Sequence, residues 1–342
     1  MTTTYKIANA AFFAALMVVG IHTAGREPNV IEGHSALWWF EAIGHYGVFL
    51  IAVPFFFICS GYFLAGHMEE CGWWRRESLK RMRTLLVPYI VWSLVYALLP
   101  LIIFFLANLI HGRIAFLEQY ASMRFWGNAF GLNPFAWPYL VPLWYVRALL
   151  MFVAISPLLL YSIKKSRWLV LLILWGVSLS VGIYGWYSQD WLYLVLTKCF
   201  NVSGLFYFCC GIYGRLNSIS IPGRGRVLAL AYGLFGAVAN GYCRMSEIKC
   251  IFPLWVPMLL FGLWSFVPER PLPKWLIGSS FAIYMLHMVV YRCLGIVFNF
   301  TVDSGLEWGA KCVIGVGGSL LIAVALRRVC PKLASVAFGA RG

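Results

Sequence analysis

Charge is what this chain has least of. Of its 342 residues only 11% are charged, and only 12 are Asp or Glu. A soluble domain carries about a quarter charged residues, so a soluble globular enzyme is excluded. No acid falls clearly within an apolar run. Ten cysteines are scattered with no Cys-x-x-Cys pair and no Cys/His metal spacing, so no metal centre is expected. Repeats, low-complexity tracts and flexible linkers are also missing, which predicts a single domain over 1–342. The net charge of +15 is not gathered into a basic module long enough to hold nucleic acid.

Apolar residues fill the space that charge leaves. They make up 62% of the chain, with a mean hydropathy of +0.80. Apolar runs near 8–24, 43–65, 85–110, 139–163, 168–187, 191–214, 227–241, 251–267, 276–299 and 307–326 are each near the length a bilayer needs. They predict an all-α polytopic membrane protein with about ten transmembrane helices. The first run lacks a small-residue cleavage site and reads as a retained span. Tryptophans such as Trp38, Trp73, Trp137 and Trp275 flank the runs as an interfacial belt.

The connections alternate in basic charge. One set, beginning with Lys6 and ending with Arg341, holds 18 Lys and Arg; the other, from Arg26 to Lys249, holds 5. Positive charge stays inside, which predicts cytoplasmic termini and an inner-membrane, multi-pass location. Cys243 and Cys250 then share one outer connection and are a candidate disulfide.

His22 ends the run Asn9–His22 at the outer side. An ionisable group there is costly to insert and reads as functional by default, and imidazole exchanges protons near neutral pH. The competing reading rests it in the headgroup zone. His287 falls near the middle of the ninth run, either functional or packed on a helix carbonyl. Arg147, Lys198, Arg292 and Lys311 are cations within the runs or at their edges. Arg147 is the deepest; with no acid in its own run, it is expected to face a cavity holding an anion or a carbonyl oxygen. Cys59 and Ser60 act as nucleophiles only beside a base. Between Cys71 and Thr84, basic residues at helical spacing predict an amphipathic helix in the inner interface. Arg76, Lys80, Arg81 and Arg83 there suit a cytosolic anionic ligand, or serve topology alone.

Five stretches together resemble the acyltransferase-3 family of integral membrane acyltransferases. They are Val18-Val-Gly-Ile-His22; Val53-Pro-Phe-Phe-Phe-Ile-Cys-Ser-Gly-Tyr62; Lys80-Arg-Met-Arg-Thr-Leu-Leu-Val-Pro-Tyr89; Pro142-Leu-Trp-Tyr-Val-Arg-Ala-Leu149; and Ser279-Ser-Phe-Ala-Ile-Tyr-Met-Leu-His287. Each is weak alone, but they stand in the family's order over most of the chain. The resemblance implies transfer of an acyl group, often acetyl, from cytosolic acyl-CoA to a sugar hydroxyl or similar acceptor. Acyl-CoA would be the donor substrate, with no permanently bound cofactor. For that chemistry His22 and Arg147 are the candidate catalytic residues, His22 as base and Arg147 to stabilise the oxyanion or bind donor phosphate, with outer-loop Glu41 or Glu118 as candidates to orient the imidazole. Arg76, Lys80, Arg81 and Arg83 would bind CoA phosphates, and Ser60, Trp144, Tyr284 and His287 the substrate. The expected partners are membrane lipids, acyl-CoA and a glycan or lipid-linked sugar.

One position departs from the family. Ala11 stands where the family commonly has Arg, eleven residues before the His. A transporter or flippase for an anionic lipid-linked glycan is the competing reading, because intramembrane cations and a His serve it equally well. An inactive member that scaffolds a polysaccharide complex is a third.

Overall fold

The computed structural model describes residues 2–23, 33, 35–108, 120–166, 168–218, 223–248, 254–298 and 305–339. Helices account for all the regular structure, and no strand occurs among the described residues. In chain order they are α1 (Thr2–Ile21), α2 (Ala36–Ala65), α3 (Trp73–Ile102), α4 (Met123–Ala129), α5 (Leu143–Ala154), α6 (Ser156–Ser166), α7 (Trp168–Tyr184), α8 (Trp191–Asn217), α9 (Gly223–Met245), α10 (Trp255–Leu263), α11 (Lys274–Ile277), α12 (Ser280–Phe298), α13 (Gly305–Val329) and α14 (Pro331–Ala337).

Among the described residues, α2, α3, α8 and α13 are each long and apolar enough to cross a bilayer. The pair α5 and α6 makes a fifth such segment, bent by 65°. Shorter apolar helices cover Tyr5–Ile21, Trp168–Tyr184, Trp255–Phe266 and Ser280–Gly295. The amphipathic stretch is not separate from the third apolar run: the two form the single helix α3. The short seventh run is continuous helix over 23 residues as α9, despite its glycines.

The chain forms two compact units, one of Met1–His67 with Tyr207–Arg328, the other of Met68–Phe206 with Val329–Gly342. In the first, α1, α2, α12 and α13 meet around Phe12, Ala15, Val19, Ile283 and Tyr291. Lipid tails are as apolar as Leu, so such contacts rest on close packing and internal hydrogen bonds. Gly61 of α2 and Gly211 of α8 show what close packing requires. A Cβ on Gly61 would lie 2.0 Å from the carbonyl oxygen of Phe208, and one on Gly211 would lie 2.0 Å from that of Ile58. No other residue fits either position without parting the helices. This is the physical role of the Ser-Gly-Tyr stretch read in the sequence.

Asn9, two turns into α1, pins that helix to the connection before α11. It is fully buried; its Nδ2 donates to the carbonyls of Pro268 (2.7 Å) and Arg270 (2.8 Å), and its Oδ1 accepts from the Leu272 amide (3.1 Å). The connection before α11 holds Pro268, Pro271 and Pro273 and has no helical ladder of its own. One side chain satisfies three of its main-chain groups.

In the second unit, α3 is held to α14 by Trp92, whose Nε1 donates to Ala337 O at 2.8 Å while its ring stacks on Phe338. The break between α5 and α6 has a sequence cause. Pro157 has no N–H to return to Val153 O, four residues back. Ser156 Oγ (2.7 Å) and Trp74 Nε1 (3.3 Å) donate to that carbonyl instead.

Candidate active site

α1 ends at Ile21 because the chain turns there, and its last carbonyls find other donors. The His22 amide is shared between Val18 O (3.2 Å) and Val19 O (3.1 Å). Thr23, fully buried, donates from Oγ1 to Val19 O at 2.7 Å. That hydroxyl also lies 2.8 Å from Tyr291 Oη and 3.2 Å from Cys312 Sγ. With its proton on Val19 O, Thr23 Oγ1 accepts from Tyr291. Lys311 Nζ donates to Thr23 O at 3.3 Å and sits 5.2 Å from the centre of the Tyr291 ring. Its charge is thus held at the C-terminal end of α1, where a cation is favoured.

This frame fixes the residue next to His22 to α12 and α13. The His22 imidazole is half-buried, and its ring centre lies 5.3 Å from that of His287 on α12, at an angle of 33°. His287 is fully buried, and its Nδ1 is 3.0 Å from Ile283 O one turn earlier. A carbonyl only accepts, so Nδ1 carries the proton and the neutral ring keeps a lone pair on Nε2. That Nε2 is buried and makes no hydrogen bond among the described residues. The Tyr291 ring stands edge-on, 6.0 Å from His287.

Glu41 and His45 lie in the same unit, on a π turn over Glu41–His45 within α2. Such turns break the regular ladder and often mark functional positions. Glu41 is buried, and its Oε2 is 3.4 Å from His45 Nδ1. Its carboxyl faces His45, so orientation of His22 by Glu41 gains no contact. Glu118, the other candidate, lies outside the described residues, as does Cys250 of the candidate disulfide.

Along α1 an apolar groove runs from Ala10 past Phe13 to Met17, walled by Phe55, Leu263 and Trp264. Tyr284 is buried, with its ring 6.3 Å from those of Phe56 and Phe281. Ser60 is half-buried, beside Gly61 at the close approach of α2 to α8.

The remaining predicted residues belong to the second unit. Arg147 corrects an expectation. Its Nη1 donates to Gly131 O at 2.6 Å and reaches Asn133 O at 3.5 Å; its Nη2 donates to Lys198 O at 2.6 Å. The guanidinium grips main-chain carbonyls, where a cavity holding an anion or a carbonyl oxygen was expected. The cause is a pair of irregular segments. Gly131 has a left-handed backbone (φ 60°), and α8 is interrupted by a π turn at Val195–Cys199 followed by Asn201 at φ 45°. Both leave carbonyls without helical donors, and Arg147 supplies a fork of them. Trp144 packs against Trp137, 5.3 Å between ring centres, and Lys198 lies over Trp137 at 5.6 Å.

On α3, Arg76 pairs with Glu70. Lys80 (3.2 Å) and Arg81 (3.8 Å) pair with Glu77, which is buried. Arg83 is exposed. The basic cluster is therefore partly neutralised by acids the charge pattern had passed over.

Sequence reasoning singled out His22 and His287 separately but missed Thr23, Tyr291 and Cys312. A Thr after a helix-terminal His is a local signal for a cap. Tyr291 stands four residues after His287, on the same helix face.

Comparison with known proteins gives two matches. Residues 11–327 match the family described as "Acyltransferase domain", the acyltransferase-3 type. The chain is also similar to the succinoglycan biosynthesis protein ExoH of Rhizobium meliloti (strain 1021), 26% identical over 249 residues, or 67% of this chain and 58% of that protein. The chain thus spans less than two thirds of that relative's length. No solved structure matches. With nearly its whole length matched, and with a multi-pass apolar helical architecture around a histidine at a helix end, the chain belongs to the acyltransferase-3 family of integral membrane proteins.

Proposed function

We propose that this protein is a membrane-bound O-acyltransferase. It moves an acyl group, acetyl in the simplest case, from cytosolic acyl-CoA to a hydroxyl of a cell-surface glycan or lipid-linked sugar. The observation that carries the reading is His22 itself: a half-buried imidazole at the end of an apolar helix, next to a residue tied to α12 and α13, with a second imidazole 5.3 Å away. The family match supports acyl transfer, and the relative's name supports a polysaccharide acceptor.

The chemistry needs one base. A thioester carbonyl is already electrophilic, but an alcohol is a poor nucleophile because its pKa is high. His22 takes the hydroxyl proton as oxygen attacks the carbonyl carbon. The C–S bond then breaks, and the departing thiolate takes the proton from His22. The products are the ester and free CoA thiol.

In this reading the chain has about ten spans with both termini cytoplasmic, in a bacterial inner membrane, and residues 1–342 act as one acyltransferase domain. Arg83, with Arg76, Lys80 and Arg81, meets the donor phosphates on the cytosolic side. Ser60, Trp144 and Tyr284 serve as substrate contacts. Arg147 acts as a fork between main-chain carbonyls. Purified protein mixed with acetyl-CoA and a glycan acceptor should release free CoA thiol, and His22→Ala protein of intact fold should not. Equal release by the two proteins would remove His22 from the mechanism.

A further inference from the structure

A base that must present one nitrogen to a substrate needs its other nitrogen fixed. Among the described residues no carboxylate is bonded to His22. What lies beside it is His287, whose Nδ1–H is committed to Ile283 O and whose Nε2 lone pair is buried and unused. An unpartnered buried acceptor is costly, so the site is built for a donor that arrives there. The ring centres are 5.3 Å apart. The imidazole torsion of His is soft, and this separation leaves room for an N–H of His22 to turn toward His287 Nε2.

We propose that His287 is the positioning residue for His22. The chain of bonds runs from Ile283 C=O to His287 Nδ1–H, and from His287 Nε2 to an N–H of His22. It leaves the second nitrogen of His22 as a lone pair toward the acceptor hydroxyl. A backbone carbonyl thus sets the tautomer of the buried imidazole, and that imidazole sets the tautomer of the reactive one. Full burial keeps His287 from the acceptor, so it acts through His22. The frame of Thr23, Tyr291 and Lys311 keeps the two rings in register. This rests on the reading of His22 as the base, and the experiment separates the two claims.

Acyl transfer is measured for wild type, His22→Ala, His287→Phe and His287→Gln, each checked for fold by thermal unfolding in detergent. His287→Phe keeps bulk and loses the acceptor lone pair; kcat should fall roughly 100-fold with the acceptor KM little changed. Gln has a carbonyl oxygen that accepts from His22 and should recover at least a tenth of wild-type kcat. Wild-type kcat in His287→Phe, or equal loss in the Phe and Gln variants, overturns the proposal. If His22→Ala is active, the base assignment fails whatever His287 does; if His22→Ala is dead and His287→Phe is active, only this inference fails. Nitrogen NMR of ring-labelled histidine in the wild-type protein is independent of any variant's folding. It should show one buried imidazole protonated at Nδ1 and bare at Nε2; the opposite tautomer for His287 contradicts the proposal.

Discussion

His22 and His287, 265 positions apart in the chain, stand with their ring centres 5.3 Å apart. One closes the first helix, and the other is buried in the middle of the twelfth. Thr23 joins them indirectly, because its hydroxyl meets Tyr291, one turn beyond His287. The end of α1 is therefore fixed by contacts to α12 and α13 as well as by its own capping. A group at a helix end is normally on the least ordered turn; here that turn is tied down by the side chains of Tyr291 and Lys311.

The small-residue contact between α2 and α8 makes the first prediction. Gly61→Val places a branched side chain where even a Cβ would lie 2.0 Å from Phe208 O. The helices must part, which we expect to cost about 1–3 kcal/mol, the range of overpacked cores. Thermal unfolding in detergent should show a lowered midpoint for Gly61→Val and little change for Gly214→Ala, whose Cβ meets nothing. Equal midpoints for Gly61→Val and wild type would contradict the close approach.

Asn9 makes the second. Asn9→Leu preserves size but leaves two carbonyls and one amide of residues 268–272 without their partner. Each lost bond to a buried group costs about 1–3 kcal/mol, lessened where water reaches the connection. Hydrogen exchange at the Leu272 amide should accelerate at least tenfold in the variant. Unchanged exchange would mean that this bond does not protect the connection.

Arg147 makes the third. If the guanidinium joins Gly131 and Lys198 carbonyls as a fork, a single ammonium cannot span both. Arg147→Lys should lower the unfolding midpoint and also lower activity, while the donor KM stays near wild type. A large rise in donor KM with unchanged stability would restore the anion-binding expectation.

The basic face of α3 makes the fourth. Arg76 and Arg83 are exposed, whereas Arg81 is largely covered and pairs with buried Glu77. Neutralising Arg76 and Arg83 together should raise the apparent donor KM with less effect on kcat, and added salt should weaken donor binding in wild type. Arg81→Gln should in addition lower stability, because it strips a cation from a buried carboxylate. Unchanged donor KM in the double variant would leave these arginines to topology alone.

Much of this was legible in the chain and some was not, for physical reasons. Helix positions follow from apolar runs, because a bilayer demands about 20 residues with their backbone bonds satisfied. The joining of the amphipathic stretch to the third run was legible too, since no Gly or Pro breaks Trp73–Val87. The bend at Ile155 was harder to foresee: Pro157 marks it, but proline inside an apolar run is often tolerated as a mild kink. His22 stood out because an ionisable group in an apolar run is rare. Its partner did not, because nothing local ties position 22 to position 287. Arg147 misled for the opposite reason. A lone buried cation suggests an anion, while the carbonyls left over at π turns and left-handed residues are invisible in composition. Glu77 was hidden the same way, as an acid among five basic neighbours that reads as part of a solvated face.

The central claim is that His22 is the base in acyl transfer from acyl-CoA to a hydroxyl. The most direct measurement follows radiolabelled acetyl from acetyl-CoA, supplied on the cytosolic face of inverted membrane vesicles, into glycan or lipid-linked sugar, with wild-type and His22→Ala protein present at equal, folded levels. The account predicts ester-linked, base-labile label in the acceptor fraction with wild type and a loss of at least 100-fold with His22→Ala. Label transfer at the wild-type rate by the His22→Ala protein, or none by the wild type across glycan acceptors while the protein remains folded, would contradict it.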